Sequence, residues 1–264
     1  MWRRLVGVIV GVTAAFLMSL LPPSQTLRQN QRFTHARTIS ELAVLFTNII
    51  TFATQAHSSE PTGITKSLIA LRAKLRRLNA TSANVVYEVS LRGRWPRERY
   101  QKLFEVQMEI AKLLSHLLSV IKNLPDPYRR ALLRRTRLSD PLFIGDVIAV
   151  LVMCSTSLQN GSPLPQITPC PLFDRYLLFQ PGFNIVREDE DDNLGLPVHV
   201  TMDTLRSETY ANFAVGCSTV AGLVLRLDRL CLVVKELVGE SYHVPTDLSS
   251  RNAILDRYRQ ISKR

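Results

Sequence analysis

The sequence predicts an all-α protein with one N-terminal transmembrane helix followed by a bundle of long amphipathic helices. Three observations predict this class. An uncharged apolar stretch runs from 5 to 21, apolar residues recur at spacings of three and four over long segments, and no region alternates as strands do. A chain of 264 residues that is 46% hydrophobic can bury a sizeable core, which excludes a wholly disordered protein.

The uncharged stretch predicts a membrane helix over residues 1–23. As a helix its 17 residues reach roughly 26 Å, close to the thickness of a bilayer core. Trp2 and two arginines precede it and Pro22-Pro23 ends it. Three interpretations compete: a cleaved signal peptide, a lone signal anchor, and one helix of a larger membrane bundle. The small residues favour the last, because they form one flat stripe that lets another helix approach in lipid: Gly7, Gly11, Ala15 and Ser19.

Residues 24–37 are expected to form a basic linker, and residues 38–264 a helical domain. Thr38 and Glu41 have the spacing of a capping box, which marks a helix start. No charge occurs from 42 to 59, so a second membrane span is conceivable, but several Thr and Asn side chains favour a core helix. The clearest helix has an unbroken apolar stripe: Leu103, Val106, Ile110, Leu113, Leu117, Val120 and Leu124.

Aspartates before prolines predict two further helix starts, Asp126-Pro127 and Asp140-Pro141. The second helix is expected to end near Gly161 and to pack in a soluble core, since Asp146 would be costly in lipid. A Pro-rich loop is predicted over 161–183 and an acidic loop over 187–193. A last helix should run from about 201 to 236 and stop at Gly239.

The positive charge is concentrated between residues 66 and 137. That segment holds 17 Lys and Arg against 5 Asp and Glu, while the rest of the chain holds 16 against 17. Beside a membrane helix, such a surface should contact anionic lipid head groups. The residues expected to do so are Arg92, Arg94, Arg97, Arg134 and Arg135.

Three other roles for this charge remain open. Nucleic acid is less favoured than lipid, because only Trp95 and Tyr100 stand among the cations to stack on bases. The acidic loop over 187–193 could dock on the basic residues of the same chain. The cations could also form an ordinary solvated face.

No motif in the sequence indicates catalysis, a cofactor or a metal. A Gly-rich phosphate loop is absent, and the histidines are scattered. We therefore expect a structural or regulatory role rather than an enzyme. A membrane-tethered enzyme is one alternative, with Asp146, Asp174 and His199 as its candidate residues. A secreted helical protein released by signal cleavage is another.

Three segments carry a family resemblance: LRGRWP at 91–96 with the helix that follows it, the stretch from Arg129 to Leu151, and PLPQITPCPL at 163–172. They resemble the C-terminal domain of fungal membrane proteins of the brefeldin A sensitivity type. That group is similar to the aromatic acid and fusaric acid exporters and is described as an endoplasmic reticulum transporter family.

The resemblance implies a location and a set of partners. The segment 2–23 resembles the last helix of a second six-helix membrane bundle, so the helical domain is expected to face the cytosol from the endoplasmic reticulum membrane. The family offers no catalytic residues. About eleven further helices are expected from it and are not in this sequence, so the chain is expected to be a fragment, a truncated product, or a domain that assembles with other membrane helices or subunits.

Overall fold

The computed structural model describes residues 2–20, 26–55, 62–88, 95–178 and 202–242. Over these residues the fold is all-α, as predicted. The helices are α1 (Trp2–Leu20), α2 (Leu27–Thr54), α3 (Thr62–Ser82), α4 (Arg97–Asn123), α5 (Asp126–Arg135), α6 (Pro141–Asn160), α7 (Leu172–Leu178), α8 (Met202–Arg206) and α9 (Glu208–Val238), with a 3₁₀ helix over Ala83–Tyr87. Two short strands, β1 (Leu164–Pro165) and β2 (Glu240–Ser241), pair in parallel.

Helices α4 and α9 form the centre of the bundle and run antiparallel. Near the start of α4, the Arg99 guanidinium donates to the Glu236 carbonyl near the end of α9, at 2.7 Å. Toward the other end, a Cβ on buried Gly216 of α9 would lie 3.0 Å from side-chain atoms of Val120 and Leu132. Gly216 therefore lets α9 approach α4 and α5 more closely than any larger residue would.

The long stripe on α4 faces this core. Leu103, Ile110 and Leu117 are at most 1% exposed, and Leu113 is partly buried beside α9. The spacing in the sequence therefore identified the buried face of α4 correctly, because one helix face is what a core of packed helices covers.

Helices α2, α3 and α6 pack beside this pair. Ser155 of α6 donates to the Ala36 carbonyl of α2 at 2.8 Å, and Gln31 of α2 donates to the Leu78 carbonyl of α3 at 3.1 Å. Among the described residues, α2 and α6 are long and apolar enough to cross a membrane, with 56% and 44% of their most apolar windows buried in the protein. Their buried faces pack on each other and on the bundle, as a core helix does.

The prediction of a basic linker over 24–37 is wrong from residue 27 onward. Helix α2 begins at Leu27, and its N-cap is Thr26, whose side chain accepts from the Gln29 amide at 3.2 Å. Thr38 caps nothing, since it is fully buried inside α2 and donates to the His35 carbonyl. The first turns of α2 are polar yet partly buried, and the apolar pattern cannot reveal that polar residues find partners on neighbouring helices.

The Pro-rich segment over 161–183 is a loop only in part. It begins at Gly161, whose φ of 69° ends α6, and β1 follows as an extended segment. Helix α7 then interrupts the predicted loop. Asp228 of α9 fixes the start of α7 by accepting from the amides of Leu172 and Phe173, at 2.6 and 2.9 Å. Residues 179–183 and the acidic loop at 187–193 lie outside the described residues.

The predicted helix ends were confirmed in most cases. Asp140 caps α6 by accepting from the Leu142 amide at 3.0 Å, and Gly239 is the C-cap that ends α9 after Val238. Asp126, by contrast, is the first residue of α5 rather than its cap. The last helix is divided at Ser207, so the short α8 precedes α9.

Candidate membrane anchor and basic surfaces

Helix α1 is an exposed apolar helix. Val8, Phe16 and Met18 are 65%, 63% and 70% exposed, respectively. Exposed apolar side chains on this scale require cover in the functional protein, and a lipid bilayer would supply it.

The two glycines of the small-residue stripe have open space beside them in the described part of the structure. A Cβ on Gly7 or Gly11 would meet nothing within 4 Å, and Ala15 is exposed. Ser19 lies in the helix, but its side chain is outside the described set. A role for this stripe in helix packing stays a prediction.

The five arginines predicted to contact lipid do not form one surface. Arg97 is exposed at the start of α4. Arg134 and Arg135 are exposed in the last turn of α5, which follows the C-terminal end of α4. The 27 residues of α4 separate these positions by roughly 40 Å. Arg92 and Arg94 lie outside the described residues.

The start of α4 lies at the end of the bundle that is nearer α1 along the chain. The chain from Leu20 to Leu27 reaches at most about 25 Å, which confines the start of α2 to that distance from α1. The start of α2 lies beside α4, because the Arg28 guanidinium stands 6.0 Å from the Trp95 ring centroid. We call this end of the bundle the near end and the end with α5 the far end.

The near end carries basic residues that the sequence analysis did not select. Helix α3 contains five cations and no acidic residue. Its second half packs beside the first turns of α2, through the bond of Gln31 to the Leu78 carbonyl. Arg76 and Arg77 are exposed there, and among the described residues neither pairs with a carboxylate. The sequence shows these cations but not the end of the bundle at which they gather.

Several arginines at the far end make contacts within the protein. Arg129 pairs with Asp126 at 2.5 Å, and Arg137 pairs with Asp140. The Arg135 guanidinium stands 6.0 Å from the Phe213 ring centroid. Cations in the last turn of a helix also interact favourably with the partial negative charge at its C-terminal end. Part of the charge on α5 therefore stabilises the helix itself.

The two aromatic residues considered for base stacking stack on each other. The ring centroids of Trp95 and Tyr100 are 4.1 Å apart with an interplanar angle of 16°, and Tyr100 is 9% exposed. Burial raises the pKa of Tyr100 to about 12. Their mutual packing leaves little of either ring to stack on a nucleobase.

A buried polar cluster joins α2 to α4, and sequence reasoning did not find it. Gln107 accepts from His35 Nδ1 at 2.9 Å and donates to the His35 carbonyl at 3.0 Å, while the Thr38 hydroxyl lies 3.3 Å from the same amide oxygen. All three residues are at most 3% exposed. Burial lowers the pKa of His35 to about 4, although the bond to Gln107 opposes that shift. The cluster fixes α2 on α4 with a neutral imidazole.

Three of the four free cysteines gather in the core between α6, the Pro-rich segment and α9. The Cys231 thiol interacts with the thiols of Cys154 and Cys170, and its sulfur lies 3.8 Å from the Thr168 hydroxyl. The interaction with the Cys231 thiol, together with burial, raises the pKa of Cys154 and of Cys170. Within the described segments, no group of three or more His, Cys, Asp or Glu residues has a geometry that would hold a metal ion.

The residues considered for an enzyme are only partly placed. The Asp146 carboxylate is paired with Arg175 of α7 at 2.7 Å, which is a structural role. Asp174 is half-buried on α7, and His199 lies outside the described residues.

Comparison with known proteins identifies the family. Residues 28–242 match the family described as the Brefeldin A-sensitivity protein 4-like domain, so the chain belongs to that family. An uncharacterized protein of Schizosaccharomyces pombe is 33% identical over 250 residues, which cover 92% of this chain and 18% of that protein. The chain thus spans less than a fifth of this relative's length. Membership in this family indicates a membrane-associated protein, and the exposed apolar helix α1 agrees with that.

Proposed function

We propose that this chain is the membrane-anchored, helical C-terminal domain of a transporter-like protein, with a structural or regulatory role rather than a catalytic one. Helix α1 spans the bilayer, and the bundle from α2 to α9 stands on the cytosolic surface of the endoplasmic reticulum membrane. The family relation to aromatic acid exporters belongs to this proposal, as does packing of the small-residue stripe on α1 against further membrane helices or another subunit.

One observation carries the proposal. An exposed apolar helix is joined by a short segment to the near end of the bundle, where Arg76, Arg77 and Arg97 are exposed. Each cation close to an anionic bilayer surface contributes on the order of 1 kcal/mol. The near end is therefore the part of the domain that contacts anionic head groups, and the far end, with Arg134 and Arg135, points away from the membrane.

Release of the bundle from vesicles tests this contact. The full chain, with a protease site introduced between α1 and α2, is reconstituted into neutral vesicles or vesicles with about a third anionic lipid, and then cleaved. We expect the freed bundle to stay on anionic vesicles at low salt, to leave neutral ones, and to be released as salt screens the charges. Replacing Arg76, Arg77 and Arg97 by Ala should weaken retention by at least about tenfold.

The matched control removes three arginines from the far end, Arg130, Arg134 and Arg135. This variant should be retained like the unsubstituted chain, with helical content checked by circular dichroism. Equal retention on neutral and anionic vesicles would refute the electrostatic contact. A loss of retention confined to the far-end variant would show that the far end, and not the near end, contacts the membrane.

A further inference from the structure

A polar groove runs along the outward face of α2, between α3 and α6. It encloses about 490 Å³. Asn30, Thr34 and Arg37 form its floor at helical spacing, Lys74 of α3 stands on one wall and Gln159 of α6 on the other. Among the described residues that line it, none is a carboxylate.

The groove offers hydrogen-bond donors and positive charge. The Thr34 hydroxyl donates to the Asn30 amide oxygen at 3.4 Å, which leaves the Asn30 amide nitrogen as the polar group available to a ligand. Arg37 is exposed, and among the described residues no carboxylate pairs with it. Its guanidinium can donate two parallel hydrogen bonds to one anionic group.

Two further cations lie near the groove, Lys74 in its lining and Arg32 beside the lining residue Phe33. Lys74 is held 2.5 Å from Glu41, so its charge is largely balanced while two of its protons stay free to donate. The Arg32 guanidinium lies 5.5 Å from the ring centroid of Phe33, which also lines the groove, and rests against Gly161. The Arg32 Nε is buried and has no partner among the described residues. The net charge around the groove is positive, and Arg37 is its most accessible source.

We propose that this groove binds a phosphate ester, with Arg37 as the residue that contacts the phosphate and with Asn30, Lys74 and Gln159 as further donors. Sites for drug-like apolar molecules are lined mostly by hydrophobic side chains, whereas all the lining residues of this groove but Phe33 are polar. The ester is either the head group of a phospholipid or a water-soluble phosphorylated metabolite. The proposal does not depend on the lipid contact at Arg76, Arg77 and Arg97, because a soluble ester can be bound without a bilayer.

Calorimetric titration of the full chain in detergent micelles tests the site. The probes are inositol 1,4-bisphosphate and dibutanoyl phosphatidylinositol 4-phosphate, a short-chain lipid that stays in solution, with inositol as the uncharged control. We expect at least one phosphorylated probe to bind and inositol not to bind. Arg37→Ala should weaken binding by about tenfold or more, since charge-assisted hydrogen bonds to phosphate are lost.

Arg130→Ala is the matched control, because it removes the same charge from an exposed position on α5. It should leave the affinity unchanged. Tighter binding of the short-chain lipid identifies a lipid head group, and equal binding of both probes identifies a soluble ester. The proposal is overturned if neither probe binds, or if Arg37→Ala and Arg130→Ala weaken binding equally, which would reflect general charge attraction.

Discussion

Replacing Phe46 by Ala is expected to lower the free energy of unfolding by about 3–5 kcal/mol, which is the usual cost of truncating a buried phenylalanine. Phe46 is 2% exposed in the middle of α2, between the fully buried Leu42 and Ile49. Its ring fills space that neighbouring helices cannot close without moving, so a cavity remains. Denaturant unfolding of the full chain in detergent, followed by circular dichroism, measures the change.

Val44→Ala is the matched control on the same helix. Val44 is 57% exposed, so its truncation should change stability by no more than about 0.5 kcal/mol. The pair also tests whether α2 is a core helix of the bundle. Similar small effects at both positions would mean that Phe46 is not in the packed core, and would favour the second membrane span that the uncharged stretch from 42 to 59 leaves open.

Acidification is expected to destabilise the chain through His35. Its pKa in the folded state is about 4, against 6.5 for an unperturbed histidine, because burial disfavours the imidazolium. Well above pH 6.5 the imidazole is neutral in both states. Between 6.5 and 4 the unfolded chain binds a proton that the folded chain does not, so stability is lost as the pH falls. The loss amounts to about 3 kcal/mol over this window.

The contribution of His35 is isolated by comparing the chain with His35→Gln. Glutamine is neutral throughout this range, so the difference between the two stability curves should grow as the pH falls from 6.5 and level off below 4. Carboxylates elsewhere contribute equally to both proteins and cancel. Parallel curves would show that His35 is not held neutral by burial between α2 and α4.

The sequence predicted the fold class and the features that depend on local pattern. The stripe on α4, the cap at Asp140 and the helix stops at Gly161 and Gly239 are all set by residues close together in the chain. Such signals can be recognised without knowing the neighbours, because helix spacing and capping are local properties.

The sequence failed where distant residues decide the structure. The start of α2 was missed because Gln31 and His35 are buried polar residues whose partners lie 47 and 72 residues away. The separation of Arg97 from Arg134 and Arg135 was missed because chain order does not show at which end of a bundle a residue lies. The gathering of Cys154, Cys170 and Cys231 required the docking of the Pro-rich segment on α9, which the pattern does not encode.

The anchoring of α1 in lipid is the claim on which the membrane-surface role depends, and alkaline carbonate extraction of cell membranes tests it most directly. The uncleaved chain should remain in the membrane pellet, because burial of 17 uncharged residues in a bilayer does not depend on charge, whereas the concentrated carbonate screens a surface contact through arginines. Recovery of the intact chain in the aqueous fraction would contradict the proposed anchor, and with it the placement of the near end on the bilayer.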